Sequence, residues 1–236
     1  MNLVLLEPTD FIDPDHVRIK DRRFKHLISV NKVTEEDQMV CGLLNGRIGT
    51  GIVTKRSHDF IEMEICLDHD PPAPLPLTLV LALPRPKMLK RIIESVTSLG
   101  VKDIYLINSW RVEKSFWQSP LLASDQLENH MILGLEQSRD TVLPRIYQKR
   151  FFTRFVNEEL ALIAKDSLCL TAHPKASRLC PSGINKPITL VIGPEGGFID
   201  IEIETLEQQG FFSYHIGPRI LRVETAVTYL ISRLYL

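Results

Sequence analysis

The chain has 236 residues, 44% of them hydrophobic and 24% charged, with a formal net charge of −1. This is an ordinary globular composition. No apolar run approaches the ~20 residues of a membrane span, and Met1-Asn2-Leu3-Val4-Leu5-Leu6-Glu7 lacks the basic start of a secretion signal. Cys41, Cys66, Cys169 and Cys180 show neither CxxC nor Cys/His zinc spacing, so no metal site is expected and the thiols suit a reducing cytoplasm.

In chain order, the N-terminus reads as an edge strand, and Gly51–Thr54 and Phe60–Cys66 as further strands. Asn45-Gly46 marks a tight turn between strands. This pattern predicts a small β-barrel over residues 1–70, with a core modest enough to lean on its neighbour. Pro71, Pro72, Pro74 and Pro76 then make residues 71–76 a stiff linker.

Beyond it, over 77–236, strand and helix alternate. Leu77–Leu83 is a continuous apolar run, as in a strand buried on both faces. Met88, Leu89, Ile92, Ile93, Val96 and Leu99 recur at helical spacing, with Gly100 closing the helix. A strand over Val101–Ile107, a helix through Leu127, Met131 and Leu135, and another from near Thr153 follow. Strands at Ser167–Thr171 and Ile188–Ile192 precede a helix capped by Asp200 and ended by Gly210. A strand at Phe211–Ile216 leads to a last helix from about Glu224 to Leu236. The alternation predicts a mostly parallel sheet with helices on both faces.

The charge is unevenly distributed. Arg18, Lys20, Arg22, Arg23, Lys25 and Lys32 face the single acid Asp21; Arg85, Lys87, Lys90 and Arg91 form a second group, and Arg145, Lys149, Arg150 and Arg154 a third. Such segregation builds a phosphate-binding surface without a basic total charge.

Two loops follow apolar strands. Gly193-Pro194-Glu195-Gly196-Gly197-Phe198 lies directly after Ile188–Ile192, where ligands of parallel sheets bind. It is neither GxGxxG nor GxxxxGK[ST], which suits an adenosine ligand without phosphates. Ile216-Gly217-Pro218-Arg219-Ile220-Leu221-Arg222 runs likewise into a helix whose first turn holds Glu224 and Thr225. A structural salt bridge to Glu224 or Glu195 and a role in chemistry are both open to Arg222.

"LVIGPEGGF", followed about twenty residues later by "IGPRILRVETA", resembles the bacterial family of small-subunit (16S) rRNA uridine-N3 methyltransferases of the SPOUT superfamily. Leu99-Gly100-Val101, Glu136-Gln137-Ser138, His173-Pro174-Lys175-Ala176-Ser177 and the N-terminal "HLISVNK" are similar to it in the same order. The resemblance implies an α/β fold with a mostly parallel sheet and a C-terminal trefoil knot, an exception to the rule against knots. It implies a preceding PUA-like β-barrel that binds RNA, a homodimer, a cytoplasmic location and S-adenosylmethionine as cofactor. Carried over by position, the cofactor residues are Leu170, Thr171, Ile192, Gly193, Pro194, Gly196, Gly197, Ile216, Gly217, Leu221, Thr225 and Ala226, with Ala172 and His173 in the first of the three loops. The RNA-binding set is Arg18, Arg22, Arg23, Lys25, His26 and Lys32.

This chain departs from the family pattern where Glu-Gln-Ser-Gly-Arg becomes Glu136-Gln137-Ser138-Arg139-Asp140, where Asn31 and Lys32 replace a leucine and an arginine, and where Ser98 replaces a glutamate. For methylation at N3, a base must take a weakly acidic proton, which is worth roughly 10²–10⁴ in rate. A cation beside the developing charge on O2 or O4 stabilises it further. Arg222 is the candidate cation, Glu195 or Glu224 the base or the group orienting Arg222, and Arg139 a grip on the target nucleotide. The uridine must be unpaired, because N3 lies on its pairing edge. The alternatives are another SPOUT RNA methylation, at a 2′-oxygen or a different base, and an RNA-binding ribosome-assembly factor with a decayed site.

Overall fold

The computed structural model describes residues 2–235. It divides into two compact units: residues 1–73 with 131–143, and residues 74–130 with 144–236.

In the first unit the strands are β1 (Val4–Leu6), β2 (Phe11–Asp13), β3 (His16–Ile19), β4 (Gln38–Leu43), β5 (Ile48–Arg56) and β6 (Ile61–His69), with helix α1 (Arg22–His26) after β3. Among the described residues they form a six-stranded sheet in the order β1-β4-β5-β6-β3-β2. The N-terminal strand is at the edge, as expected, and pairs parallel with β4. Asn45, with φ of 57°, makes the expected turn between β4 and β5.

Alternation along the first strand sends its side chains to two different cores. Val4 and Leu6 join Val17, Ile19, Cys41, Ile61 and Met63 on one face, while Leu3 and Leu5 pack with Ile48, Leu135, Ile132 and Leu143 on the other. Residues 131–143 therefore complete the core that 70 residues alone leave modest. Glu136 is buried there and accepts a bidentate pair of bonds from Arg22, both 2.9 Å. Arg139 has φ of 58°, so the position where the family pattern has glycine is left-handed backbone, which glycine adopts without steric penalty.

The second unit holds β7 (Leu77–Ala82), β8 (Asp103–Ile107), β9 (Arg145–Lys149), β10 (Leu168–Ala172), β11 (Arg178–Leu179), β12 (Ile188–Ile192) and β13 (Phe212–His215). Every pairing is parallel, in the order β11-β13-β10-β12-β7-β8-β9. All five β12 side chains are buried; since successive residues point to opposite faces, both faces of the sheet are covered.

The helices are α2 (Pro86–Ser98), α3 (Ser124–Ser138, whose last turns belong to the first unit), α4 (Phe152–Phe155) running through a π turn into α5 (Ala161–Ile163), α6 (Asp200–Gln208) and α7 (Val223–Tyr235). α2 packs against α7, burying Leu89, Ile92, Ile93 and Val96 of one and Val227, Leu230, Ile231 and Leu234 of the other. Asp200 is the first residue of α6, not its cap; the free N–H of Ile199 donates instead to Glu202 at 3.0 Å. From residue 74 the expected linker is already fastened to this sheet. Leu75 N–H donates to the Gly100 carbonyl, and the Pro76 carbonyl accepts from Ile188 N–H and the Tyr235 hydroxyl.

Arg23 corrects the reading of the first basic cluster. It is 4% exposed, and its guanidinium donates to both oxygens of Asp10 (2.7 and 2.8 Å), to Asp21 (2.7 Å) and to the Leu5 carbonyl. A guanidinium with its donors consumed inside the fold has none left for a phosphate. Burial pushes the Asp21 carboxyl up, but the bonds from Arg23 outweigh it and hold the group below its ordinary range.

Arg23→Met is expected to destabilise the protein by about 3 kcal/mol, because it strands the buried Asp10 carboxylate. With its folded-state pKa depressed, Asp21 contributes stability above the ordinary carboxylate pKa of about 4 and loses it as pH falls through the lowered value. Urea unfolding at neutral and acidic pH checks both, and the variant should lack part of that acid-dependent loss.

Candidate active site

Parallel pairing places the carboxyl ends of β10, β12 and β13 on one edge of the sheet, and the loops leaving them enclose a cleft of about 230 Å³. From β10 come Ala172, His173 and Pro174; from β12, Ile192 to Gly197; from β13, Tyr214 to Gly217 and then Arg219 to Leu221. Val223, Ala226 and Leu230 of α7 form the floor, a stripe with the i, i+3, i+7 spacing of one helical face. Burial and the charge of Lys175 hold His173 below the usual histidine range, so its ring is neutral at neutral pH.

Two glycines shape this cleft. Gly197 (φ 70°) closes a turn with its N–H on the Pro194 carbonyl at 2.7 Å, and Gly217 (φ 121°) turns the chain after β13. A β-carbon at either meets no protein atom within 4 Å, so the requirement is for left-handed backbone, not for room. Gly196 differs: its β-carbon would stand 2.9 Å from Cδ of Arg111, whose guanidinium donates to the Gly196 carbonyl.

A second recess adjoins the first through Glu195, Ile220, Leu221 and Val223, which line both. It adds Arg85, Lys87, Met88, Arg222 and Glu224. Here the order of the sheet reverses, with β8 and β9 on one side of β7 and β12, β10 and β13 on the other; such switch points are where open parallel sheets bind ligands. Glu195 spans it, accepting the Arg85 N–H at the start of α2 at 3.0 Å. Arg222 is exposed and, among the described residues, has no carboxylate partner, so the salt bridge to Glu195 or Glu224 is not formed.

The sequence-derived residues fall into three groups. Ile192, Gly193, Pro194, Gly196, Gly197, Ile216, Gly217, Leu221 and Ala226 line the main cleft, and Arg222, Glu195 and Glu224 the adjoining recess. Leu170 and Thr171 do not: both are buried within β10, and the loop begins only after Ala172. Thr225 is exposed on α7, off the Val223–Ala226–Leu230 stripe. Arg139 lies in the first unit and lines a separate recess there with Val40, Thr50, His69, Asp70 and Pro72. Val223 falls within the Ile216–Ala226 loop assigned to the cofactor, whereas sequence reasoning missed Tyr214, His215 and Leu230; helical spacing onward from Ala226 was the available signal for Leu230.

The basic clusters also separate. Arg18 is paired to Glu62 (Nε at 2.8 Å) and Arg22 to Glu136. Lys25 and Lys32 are exposed and His26 half-buried. In the third cluster Arg145, Lys149 and Arg154 pair with Asp103, Glu159 and Glu158. Arg85, Lys87, Lys90 and Arg91 are exposed with no acidic partner among the described residues, and the first two line the recess.

The chain matches the family model described as RNA methyltransferase domain over residues 71–235. It is 26% identical over 230 residues to ribosomal RNA small subunit methyltransferase E 1 of Borreliella burgdorferi, covering 96% of this chain and 94% of that one. It is 28% identical over 232 residues to ribosomal RNA small subunit methyltransferase E of Treponema pallidum, covering 96% and 87%. Its fold is similar to that of ribosomal RNA small subunit methyltransferase E from Neisseria gonorrhoeae bound to S-adenosyl methionine, with a TM-score of 0.71, 22% identity, and 98% and 96% of the two chains covered. A methyltransferase of Legionella pneumophila in complex with bound cofactor SAM gives a TM-score of 0.75 at 23% identity, covering 98% and 95%. The match over most of its length, on the segments that build the strand-end cleft, makes this chain a member of the RNA methyltransferase domain family.

Proposed function

We propose that the chain transfers a methyl group from S-adenosylmethionine to N3 of a uridine in the 16S rRNA of the small ribosomal subunit. The observation that carries this reading is the strand-end cleft: three loops and one helix face enclose a mostly apolar bed, with an unpaired arginine and two carboxylates in the adjoining recess. The names of the relatives support the substrate, and the SAM-bound solved structures support the cofactor.

The residues fit that cofactor. Ile192, Leu221, Val223, Ala226 and Leu230 offer an apolar bed for an adenine, and the space beside Gly197 and Gly217 holds no protein atom within 4 Å. Among the described residues no lysine lines the cleft, and Arg219 is its one Lys/Arg side chain. S-adenosylmethionine, when bound, supplies an electrophilic methyl group. Arg222 then stabilises the negative charge developing on the uracil oxygens. One oxygen of Glu195 is occupied by Arg85 N–H, so Glu195 serves as a positioning residue and Glu224 as the base that takes the N3 proton.

Around this site we read residues 1–70 as a PUA-like RNA-binding barrel, residues 71–76 as the junction and residues 77–236 as a SPOUT domain with a trefoil knot. The contacts that support threading are the bonds of α7 to the segment between β11 and β12: Ile184 N–H on the Leu234 carbonyl and Arg233 Nε on the Cys180 carbonyl. Lys25 and Lys32, with His26, Arg18 and Arg22, form the RNA-facing side of the barrel, and Arg139 grips the RNA beside it. We read the protein as a homodimer because the family resemblance implies one; the apolar faces of α2 and α7 are already buried against each other within the chain. Among the described residues no helix is long and apolar enough to cross a membrane, and we place the reaction in the cytoplasm with the ribosome.

Gly197→Val forces a branched side chain into left-handed backbone at a cost of about 1–2 kcal/mol and fills the space beside the loop. It is expected to weaken S-adenosylmethionine binding at least ten-fold in calorimetry, with the protein still folded at room temperature. Arg222→Lys tests the chemistry by single-turnover methylation of unmodified small subunits. The variant should bind S-adenosylmethionine normally and lose about two orders of magnitude in transfer rate. Near-normal transfer would move the catalytic role from Arg222 to Glu195, Glu224 or Arg139.

A further inference from the structure

Two of the most exposed aromatic side chains stand at the same edge of the sheet as the cleft. Trp110 follows β8 and is 79% exposed; Phe151 follows β9 and is 72% exposed. Single exposed apolar residues are common, but these are held on rigid supports. Trp110 N–H donates at 2.7 Å to Glu202, itself 5% exposed, and Val112 N–H closes the turn on the Ser109 carbonyl. Beside them, Trp117 is fixed by its Nε1 on Asn108 (2.8 Å), and the Arg150 guanidinium lies 5.2 Å over its ring.

This surface joins the cleft at two points. Arg111 donates to the Gly196 carbonyl, and the Phe152 ring lies 5.9 Å from that of Phe198, the residue after Gly197. Arg111 and Arg150 donate only to carbonyls and have no carboxylate partner among the described residues, so their charges stand uncancelled. Two exposed rings, on Trp110 and Phe151, beside the anchored Trp117 and two guanidinium groups without a carboxylate partner match a ligand with flat apolar faces on an anionic backbone. Unpaired RNA has that chemistry.

We propose that Trp110, Trp117 and Phe151, with Arg111 and Arg150, form a stacking platform for unpaired bases of the RNA substrate that flank the target nucleotide. The proposal rests on the RNA-methylation reading and adds to it the residues that hold the strand open beside the site. A rigid ring loses little freedom when a base stacks on it, and a target that must be unpaired brings unpaired neighbours.

The test measures binding of Trp110→Ala, Phe151→Ala and Trp110→Phe to unmodified small subunits and to a 16S rRNA transcript, with S-adenosylmethionine affinity and mass in solution taken on the same samples. Each alanine variant should lose about ten-fold in RNA affinity, keep its cofactor affinity and keep its oligomeric mass, and Trp110→Phe should retain most of the binding. Unchanged RNA affinity in both alanine variants, while the wild type binds and methylates, would overturn the platform and leave the activity standing. A loss of RNA affinity in proteins that transfer no methyl group would support the platform and count against the methylation reading alone. Alanine variants that fall from dimer to monomer would overturn the proposal, since a second copy of the chain would then cover these rings.

Discussion

The parallel pairing of β7 with β12 is the constraint from which the site follows. It sets the carboxyl ends of two strands side by side that lie more than a hundred residues apart in sequence, and it does so where the sheet reverses its order. The loop after one then meets the helix after the other, and Glu195 on Arg85 N–H closes that junction. β10 and β13, parallel on the far side of β12, bring two further loop origins to the same edge. A cleft built this way exposes mostly backbone and apolar side chains, with Glu195 and Arg219 as its charged lining, while the adjoining recess gathers Arg85, Lys87, Arg222 and Glu224.

Much of this arrangement is legible in the sequence. The run at Leu77–Leu83 reads as a doubly buried strand because alternation is absent, and Ile188–Ile192 reads as an apolar strand; both are central in the sheet. The Gly193–Phe198 loop stands out because three glycines follow such a strand; a tight strand-to-helix turn accounts for them equally, and the paired motif after Ile216 is what singles the loop out. What went astray followed from boundaries and periodicity. Leu170 and Thr171 lie inside β10, which runs on to Ala172, so the loop at that strand end starts at His173, two residues beyond Thr171. Thr225 was carried with its motif, although helical spacing turns it away from the face that Val223, Ala226 and Leu230 share.

Charge was legible only as a count. Nothing near Arg23 announces Asp10 as its partner, thirteen residues earlier, and nothing near Arg22 announces Glu136, 114 residues later. A basic cluster therefore looks like a surface until its carboxylates are found in three dimensions. The return of residues 131–143 to the first unit is hidden for the same reason: the apolar spacing of Ile132 and Leu135 indicates a buried face without saying against what. The positive φ of Arg139 was open to prediction from the family pattern, since a glycine there implies left-handed backbone.

The central claim is methylation of a 16S rRNA uridine on its pairing edge. Mass mapping of 16S rRNA nucleosides and fragments, from strains with and without the gene, measures it most directly. One uridine is expected to lose a single base methyl group on deletion and to regain it when the intact gene, but not one carrying Arg222→Lys, is restored. Unchanged rRNA in the deletion strain, or loss of a methyl group from a ribose or from a base other than uracil, would contradict it.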